Sequence, residues 1–556
     1  MKRPFFSALA ARLRAGTARF SAVCGFTLAA WLLLCAYLFS QTPAELPLYA
    51  VGGCAWGTAA ALTLRLACER YARLRPAAVW LPWAGGLAAT AAASGLWQAS
   101  EQFSENMTCY WNLCYWGLLA AAAALACWLL CRPENQEELF GHLISSAVFA
   151  GALALVVMLG LLLCLAAADA LLVSLSLEVY LAAMALPWMV LATNLFCALL
   201  PGESTPAHTG RAYRAILTWA ALPVALLLLA VLYGYIGKIL VTWHMPSGQM
   251  NWFASVALAA YLCFWLGLRM VKARPVQLFL RWGWALLLPV LAVQLVGIVI
   301  RLRAYGLTTT RCLGLFCLAA GLIGLVLAAL GKGPRGLYLA VAVLALVATV
   351  SPLNAADLAG RSQAARLDKT LRACGVWDGE ALAAPAEPLS EADQETVRSC
   401  WRYLRNSPTA LYDSPLLQSV RALTYDNYEQ ALGLTPQESA ATWDTYSLEP
   451  AGPIDISAYR QISPCTIDVG LNETDGAWPL TVTTQGGYSM QIDATDYFQS
   501  LLEKYEPLSI STQALLADDM LLALPDGNTV YLTRIYLETE NGVLCYAICE
   551  GILLLA

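Results

Sequence analysis

The chain has 556 residues, 59% of them hydrophobic and only 13% charged, whereas soluble domains average about 25% charged residues. The deficit is local: residues 1–354 carry 22 Lys and Arg against 10 Asp and Glu, while residues 355–556 carry 11 against 28. This excludes a wholly soluble protein and implies a basic membrane portion followed by an acidic water-soluble one; without a basic patch in the second portion, nucleic-acid binding is not expected.

Lys2, Arg3, Arg12, Arg14 and Arg19 precede an apolar run from Phe20 to Ser40. That run is too long for the core of a signal peptide and no small-x-small cleavage site follows it, so it reads as a first membrane anchor. Cys24 lies at the start of the run rather than after it, which argues against a lipoprotein cysteine. A hydrocarbon core of about 30 Å takes about 20 apolar residues as a helix. The further runs are long and do not alternate, so they too are predicted as helices: Leu46–Leu64, Val79–Gln98, Tyr110–Cys131, Leu143–Ala168, Val179–Leu200, Ile216–Ile236, Trp252–Leu268, Trp282–Ile300, Cys312–Leu330 and Leu337–Leu353. The expected fold class is a membrane helical bundle of about eleven transmembrane helices over residues 1–354. A soluble α+β domain with a small antiparallel sheet follows over 355–556.

Lys and Arg are retained on the cytoplasmic side. With the N-terminus inside, the inner segments hold 18 basic residues and the outer loops four: Lys238, Arg301, Arg303 and Arg311. An odd number of crossings then places residues 355–556 outside. Inside the helices, Gly53 and Gly57 form a G-x-x-x-G, read first as close packing and second as a dimer face. Pro187, Pro223 and Pro289 should kink their helices. Charge within the membrane marks transport or proton paths, and it is nearly absent: Asp169 and Glu178 sit at helix ends. Asn194 and Gln294 are the polar residues deep in helices, expected to make interhelical hydrogen bonds. His142, His208 and His244 have no metal-ligand spacing.

Four stretches carry a family resemblance. They are Tyr233-Gly-Tyr-Ile-Gly-Lys238-Ile-Leu240, Arg301-Leu-Arg-Ala-Tyr305-Gly306-Leu-Thr308-Thr-Thr-Arg311, Ser362-Gln363-Ala-Ala-Arg366-Leu367 and Ile454-Asp-Ile-Ser-Ala-Tyr459. By their order and spacing the chain resembles, over roughly residues 210–480, the bacterial polytopic membrane family known as domain of unknown function 4153. Ala304 and Cys312 stand where members of that family often have an acidic and an aromatic residue. The resemblance implies architecture and a bacterial membrane, and no activity.

The soluble part opens helically. Asp357–Cys374 has helical apolar spacing, Ser390 is an N-cap for Glu391–Arg405, and Pro415–Leu432 ends at Gly433. From Ile454 the period becomes that of strands: Ile454–Tyr459, Cys465–Leu471, Leu480–Thr484 and Tyr488–Ile492. A helix from Asp493 to about Tyr505 follows, then Met520–Leu524, Thr529–Leu537 and Val543–Leu555, with turns at Pro525-Asp526-Gly527-Asn528 and Asn541-Gly542. No H-E-x-x-H, G-x-S-x-G or Walker A loop occurs. Asp493 and Asp496 fall where a helix start takes acids, and Asp518-Asp519 reads as a solvated loop. Of the 18 cysteines, Cys374, Cys400, Cys465, Cys545 and Cys549 lie in the soluble part. Five cannot form a closed disulfide set, and Cys545 and Cys549 on one regular strand stand about 13 Å apart.

No catalytic, cofactor or metal residues are nominated. The first functional reading is an envelope binding or sensing protein in the bacterial inner membrane, its partners being the bilayer and an envelope ligand or protein. The second is a transporter or lipid-handling permease, and a membrane enzyme is the third. Lys238, Arg301, Arg303 and Arg311 are expected to dock the acidic domain on the outer mouth of the bundle, with Gly237–Asn251, including Trp243 and Met245, adding apolar contact. The competing reading is that these cations snorkel to lipid headgroups.

Overall fold

The computed structural model describes residues 5–555 apart from 41–45, 104, 203–206, 243–248, 381, 384–388, 408, 410–411, 426, 436–442, 451–458, 471–476, 485–486, 506–512, 516 and 541–542. It forms two compact units, Met1–Leu434 and Thr435–Ala556. The first unit therefore extends past residue 354, the expected end of the membrane portion, to include a helical segment.

The first unit begins with α1 (Phe5–Arg19), α2 (Ser21–Leu38), α3 (Leu46–Arg70), α4 (Leu81–Phe103), α5 (Glu105–Leu130) and α6 (Leu139–Leu171). Two interrupted rods follow. In one, α7 (Leu177–Leu186) runs through a π-helical turn at Pro187–Ala192 into α8 (Thr193–Leu199). In the other, α9 (Arg211–Ile216) runs through a π-helical turn at Leu217–Ala221 into α10 (Leu222–Thr242). Next come α11 (Gln249–Gly267), α12 (Arg274–Tyr305), α13 (Thr309–Ala329) and α14 (Arg335–Thr349).

Among the described residues, eight stretches are long and apolar enough to cross a membrane: Ser21–Leu38, Pro47–Arg70, Cys109–Leu130, Leu139–Leu171, Leu177–Leu199, Arg211–Thr242, Arg274–Tyr305 and Thr309–Ala329. Asn251–Gly267 and Arg335–Thr349 are apolar but shorter. The helix α4 is long, but its Gly, Thr and Ser residues, with Gln98 and Glu101 near its end, dilute its hydropathy. The protein is a multi-pass membrane protein, and its eight full-length candidates are fewer than the eleven crossings expected.

Lipid offers helices no hydrophobic reason to associate, so small residues and close backbone contact hold them together. The G-x-x-x-G of α3 serves this within the chain. A Cβ on Gly57 would lie 3.0 Å from the Gly86 carbonyl oxygen of α4 and 3.0 Å from the Phe26 ring of α2. Beside it, Trp56 stacks on Tyr115 at 5.8 Å, and the Tyr115 hydroxyl donates to the Gly52 carbonyl at 2.9 Å. Gly57→Val should therefore overpack this contact, at about 1–3 kcal/mol. The expected result is a lower unfolding midpoint of the detergent-solubilised chain, followed by tryptophan fluorescence. An unchanged midpoint with loss of a crosslinked dimer would move the motif to a subunit interface.

Beyond the membrane helices, α15 (Ala355–Ala373), α16 (Glu391–Asn406), α17 (Pro415–Ala422) and α18 (Tyr428–Ala431) complete the first unit. Asn354 caps α15, its side chain accepting from the Asp357 backbone N–H at 2.8 Å. Ser390 caps α16, as its sequence position predicts. Leu367, Leu371, Val397, Trp401, Leu404, Leu417 and Val420 form the core between these helices.

The second unit holds β1 (Trp443–Pro450), β2 (Gln461–Pro464), β3 (Thr466–Val469), β4 (Pro479–Thr483), β5 (Ser489–Asp493), α19 (Thr495–Lys504), β6 (Gln513–Leu515), β7 (Leu521–Ala523), β8 (Thr529–Glu540) and β9 (Val543–Leu555). Two sheets form where one small antiparallel sheet was expected. A six-stranded sheet runs β2-β9-β8-β1-β6 with β7 beside β8, and a three-stranded sheet runs β3-β4-β5. Among the described residues, all pairings are antiparallel except β1 with β6. The turn predicted at 525–528 is present, with Gly527 at φ +90° and the Leu524 N–H bonded to the Asn528 carbonyl. The strand expected at Ile454–Tyr459 falls on residues 454–458, outside those described, as does the turn expected at Asn541-Gly542. The core gathers Leu448, Leu480, Phe498, Leu532, Ile535 and Leu553.

Asp519, expected in a solvated loop, is instead a tie. Its oxygens lie 2.7 and 2.5 Å from Lys504 Nζ, and the Tyr505 hydroxyl donates to it as well. Lys504 first and Tyr505 second hold its carboxyl below the usual range. A depressed folded value means stability present above the unfolded pKa of about 3.9 and lost as pH falls through the folded one. Asp519→Asn should therefore lower the unfolding midpoint at pH 7, with the difference from the parent shrinking below about pH 4. A difference constant with pH would assign the effect to something other than this carboxylate.

Candidate functional site

Of the residues nominated by loop charge, Lys238 is exposed near the end of α10. Arg303 lies in the last turn of α12 and Arg301 just before it, where cations favour the negative end of the helix dipole. Arg311 Nη1 donates to the Gly306 carbonyl at 2.9 Å, and its guanidinium lies 5.6 Å over the Tyr305 ring. Among the described residues, no ion pair joins any of these four to an acid. Trp243, His244 and Met245 lie outside the described residues.

The intramembrane pair does bond helix to helix. Asn194 Nδ2 donates to Thr27 Oγ1 of α2 at 3.0 Å and to the Val190 carbonyl at 2.8 Å. Gln294 Nε2 donates to Ser255 Oγ of α11 at 2.9 Å and to the Asn251 carbonyl at 3.3 Å.

Two of the four resemblance stretches meet in space. The last carbonyls of a helix have no partner within it, and α12 ends at Gly306, whose φ of +68° turns the chain sharply toward α13. Gln363 of α15, only 3% exposed, supplies the missing donors. Its Nε2 donates at 2.9 Å to the carbonyls of both Tyr305 and Leu307. Its Oε1 accepts from Cys400 Sγ of α16 at 3.3 Å. The Ser362 hydroxyl accepts from the Leu307 N–H at 3.0 Å, and the Tyr403 hydroxyl accepts from the Thr309 N–H at 2.8 Å. The 305–309 turn is thus bonded on its backbone by α15 and α16.

The family described as Domain of unknown function (DUF4153) matches residues 26–383. The chain belongs to it. No curated protein and no solved structure matches the chain. The DUF4153 region takes in both halves of the joint, 301–311 and 362–367. It begins well before the expected residue 210 and stops short of 454–459. Its name carries no activity, so chemistry has to be read from side chains.

The other end of the DUF4153 bundle holds a second polar cluster, which loop charge did not resolve into a site. Arg19 pairs with Glu69 through two bonds of 2.9 and 2.7 Å and donates to the carbonyls of Leu200 and Pro201. Arg65 reaches the same Glu69 at 3.2 Å and the Ala78 carbonyl at 3.0 Å. The His142 ring lies between two segments: Nδ1 is 3.1 Å from the His208 backbone N and 3.0 Å from the His208 carbonyl oxygen, and Nε2 is 2.8 Å from the Leu199 carbonyl oxygen. The available signal was Glu69, one of two acids in the first 100 residues. An isolated acid in an Arg-rich segment marks where cations are gathered. Among the described residues, no group of three or more His, Cys, Asp or Glu could hold a metal ion.

Gln363→Leu keeps the bulk and removes both donors, leaving two backbone carbonyls unsatisfied at about 1–3 kcal/mol. The expected outcome is faster proteolytic cleavage within 301–311 and a lower midpoint for the full chain. Cleavage at the parent rate would show that the turn does not depend on this side chain.

Proposed function

We propose that this chain is an envelope binding or sensing protein of the bacterial inner membrane, in which the helical bundle anchors and presents an extracytoplasmic domain. The observation that carries this reading is the joint at Gln363. A purely tethered domain needs only a linker, whereas here the first extramembrane helices bond directly to the turn between α12 and α13. The use of Asn194 and Gln294 in helix-to-helix bonds supports an anchoring bundle over a polar path. Lys238, Arg301, Arg303 and Arg311 would attract the acidic extramembrane part by net charge alone, since among the described residues none of them forms an ion pair with an acid. The 18-to-4 division of basic residues supports an inside N-terminus and an outside C-terminal domain.

A transporter or lipid-handling permease is the second reading. It is favoured by the π-helical turns at Pro187–Ala192 and Leu217–Ala221, because such turns inside helices often accompany function.

Two measurements test the proposal. Alkaline phosphatase fused after residue 434 should be active and green fluorescent protein there dark; the reverse pattern places the domain inside. Soluble cell-wall fragments should raise the unfolding midpoint of the full chain in nanodiscs. Solute flux into proteoliposomes, with no such shift, would favour the permease.

A further inference from the structure

Where α11 and α13 finish and α12 begins, a recess of about 630 Å³ opens at the end of the bundle. That volume lies within the range of roughly 300–1,000 Å³ typical of small-molecule sites. Arg269, Arg274 and Arg281 line it against a single acid, Glu137. Arg269 is already engaged by neutral groups: its Nη1 donates to the Lys332 carbonyl at 2.9 Å, and its guanidinium lies 5.4 Å over the Trp265 ring. Gln277 Nε2 donates to the carbonyls of Arg269 and Val271 at 3.3 and 2.6 Å, which ties the turn between α11 and α12 to the first turn of α12. The wall is thus fixed without cancelling its charge. Among the described residues, neither Arg274 nor Arg281 pairs with an acid.

Helical spacing places the two free guanidinium groups together. Arg274 and Arg281 stand seven residues apart on α12, about two turns, so they share one face with Gln277 and Leu278 between them. All four residues are exposed. Retention of Lys and Arg on one side of a membrane is satisfied by cations anywhere in a segment, and it does not require this arrangement. Lys272 and Lys332, at the same end, are exposed as well but do not line the recess. The depth is also set. The Arg281 guanidinium lies 5.8 Å over the Trp282 ring, and from Trp282 to Ile300 the helix carries no charge. A Trp at such a boundary marks the membrane–water interface. Leu278, Trp282 and Leu286, spaced by four and 60%, 52% and 43% exposed, form an open apolar row that starts between the two arginines and runs along α12 into the apolar stretch.

We propose that the recess between α11, α12 and α13 binds a phosphate group, either that of an anionic lipid headgroup or that of a soluble phosphate compound. Guanidinium forks match phosphate oxygens in pairs, and basic pockets between membrane helices take anionic headgroups. Arg274 and Arg281 make the direct contacts. Arg269, braced by the Lys332 carbonyl and Trp265, adds positive charge from the wall. The apolar row from Leu278 to Leu286 favours the lipid, because an acyl chain attached to the bound phosphate can follow it. The site requires nothing of the extramembrane domain or of the side on which this end lies.

The test uses the full chain. In phosphatidylcholine nanodiscs, addition of phosphatidylglycerol should raise the unfolding midpoint, and native mass spectrometry should show retained lipid. Inorganic phosphate or glycerol phosphate in phosphatidylcholine nanodiscs provides the soluble arm. The double variant Arg274→Gln with Arg281→Gln should weaken whichever probe binds by about tenfold or more, as expected for lost bonds to a charged group. Each midpoint shift is read against the same variant in phosphatidylcholine alone, so a general loss of stability does not enter it. The matched variant Lys272→Gln with Lys332→Gln removes the same charge at the same end but outside the recess, and should leave binding unchanged. Equal loss in both variants would reduce the effect to diffuse surface charge and overturn the site, as would the absence of binding by either probe. A lipid response without a soluble response assigns the phosphate to a headgroup, and the reverse assigns it to a soluble compound.

Discussion

Lipid supplies no hydrogen bonds, so each backbone group that crosses it must be satisfied within the protein. This constraint orders the whole first unit. Helices meet it along their lengths but not at their ends, where the last carbonyls and first N–H groups lack partners. Side chains capable of serving those groups are therefore concentrated at the two ends of the bundle. At one end Gln363 donates to carbonyls left at the close of α12. At the other, Arg19 donates to Leu200 and Pro201 just after α8, and His142 Nε2 lies 2.8 Å from the Leu199 carbonyl oxygen. The span between them is held by small residues and a few neutral amides.

Much of this was legible in the sequence because the signals were local and long. Apolar runs located the membrane helices, and Ser390 and the turn at 525–528 were read from short-range chemistry. The count of crossings was less secure for a physical reason. Hydropathy measures transfer to lipid, while α4, α11 and α14 are dilute or short and rely on neighbours. The tie between residues 301–311 and 362–367 could be approached only as two separate stretches, since a side-chain bond across some 58 residues leaves no periodic trace. The strands β1 and β6 escaped notice because their pairings, β1 with β8 and β1 with β6, are nonlocal.

Charge reading had a similar limit. It sorted arginines by segment but could not tell which of them share one recess and which face outward. Nor could it foresee that Arg311 would turn back on its own loop to Gly306 and Tyr305 rather than meet a carboxylate. Arginine's five donors make carbonyls and aromatic faces competitive partners.

All 18 cysteines are free thiols. Burial pushes the Cys400 thiol up to about 11 and the Cys549 thiol up to about 12. Only the thiolate attacks disulfides and oxidants, and at neutral pH these two groups are ionised in about one molecule in ten thousand or fewer. Cys400 is further occupied as a donor to Gln363. Keeping the thiols protonated slows their part in exchange. The extramembrane helices and the long β8–β9 pair could thus sit in an oxidising compartment without these two groups being drawn into chance crosslinks.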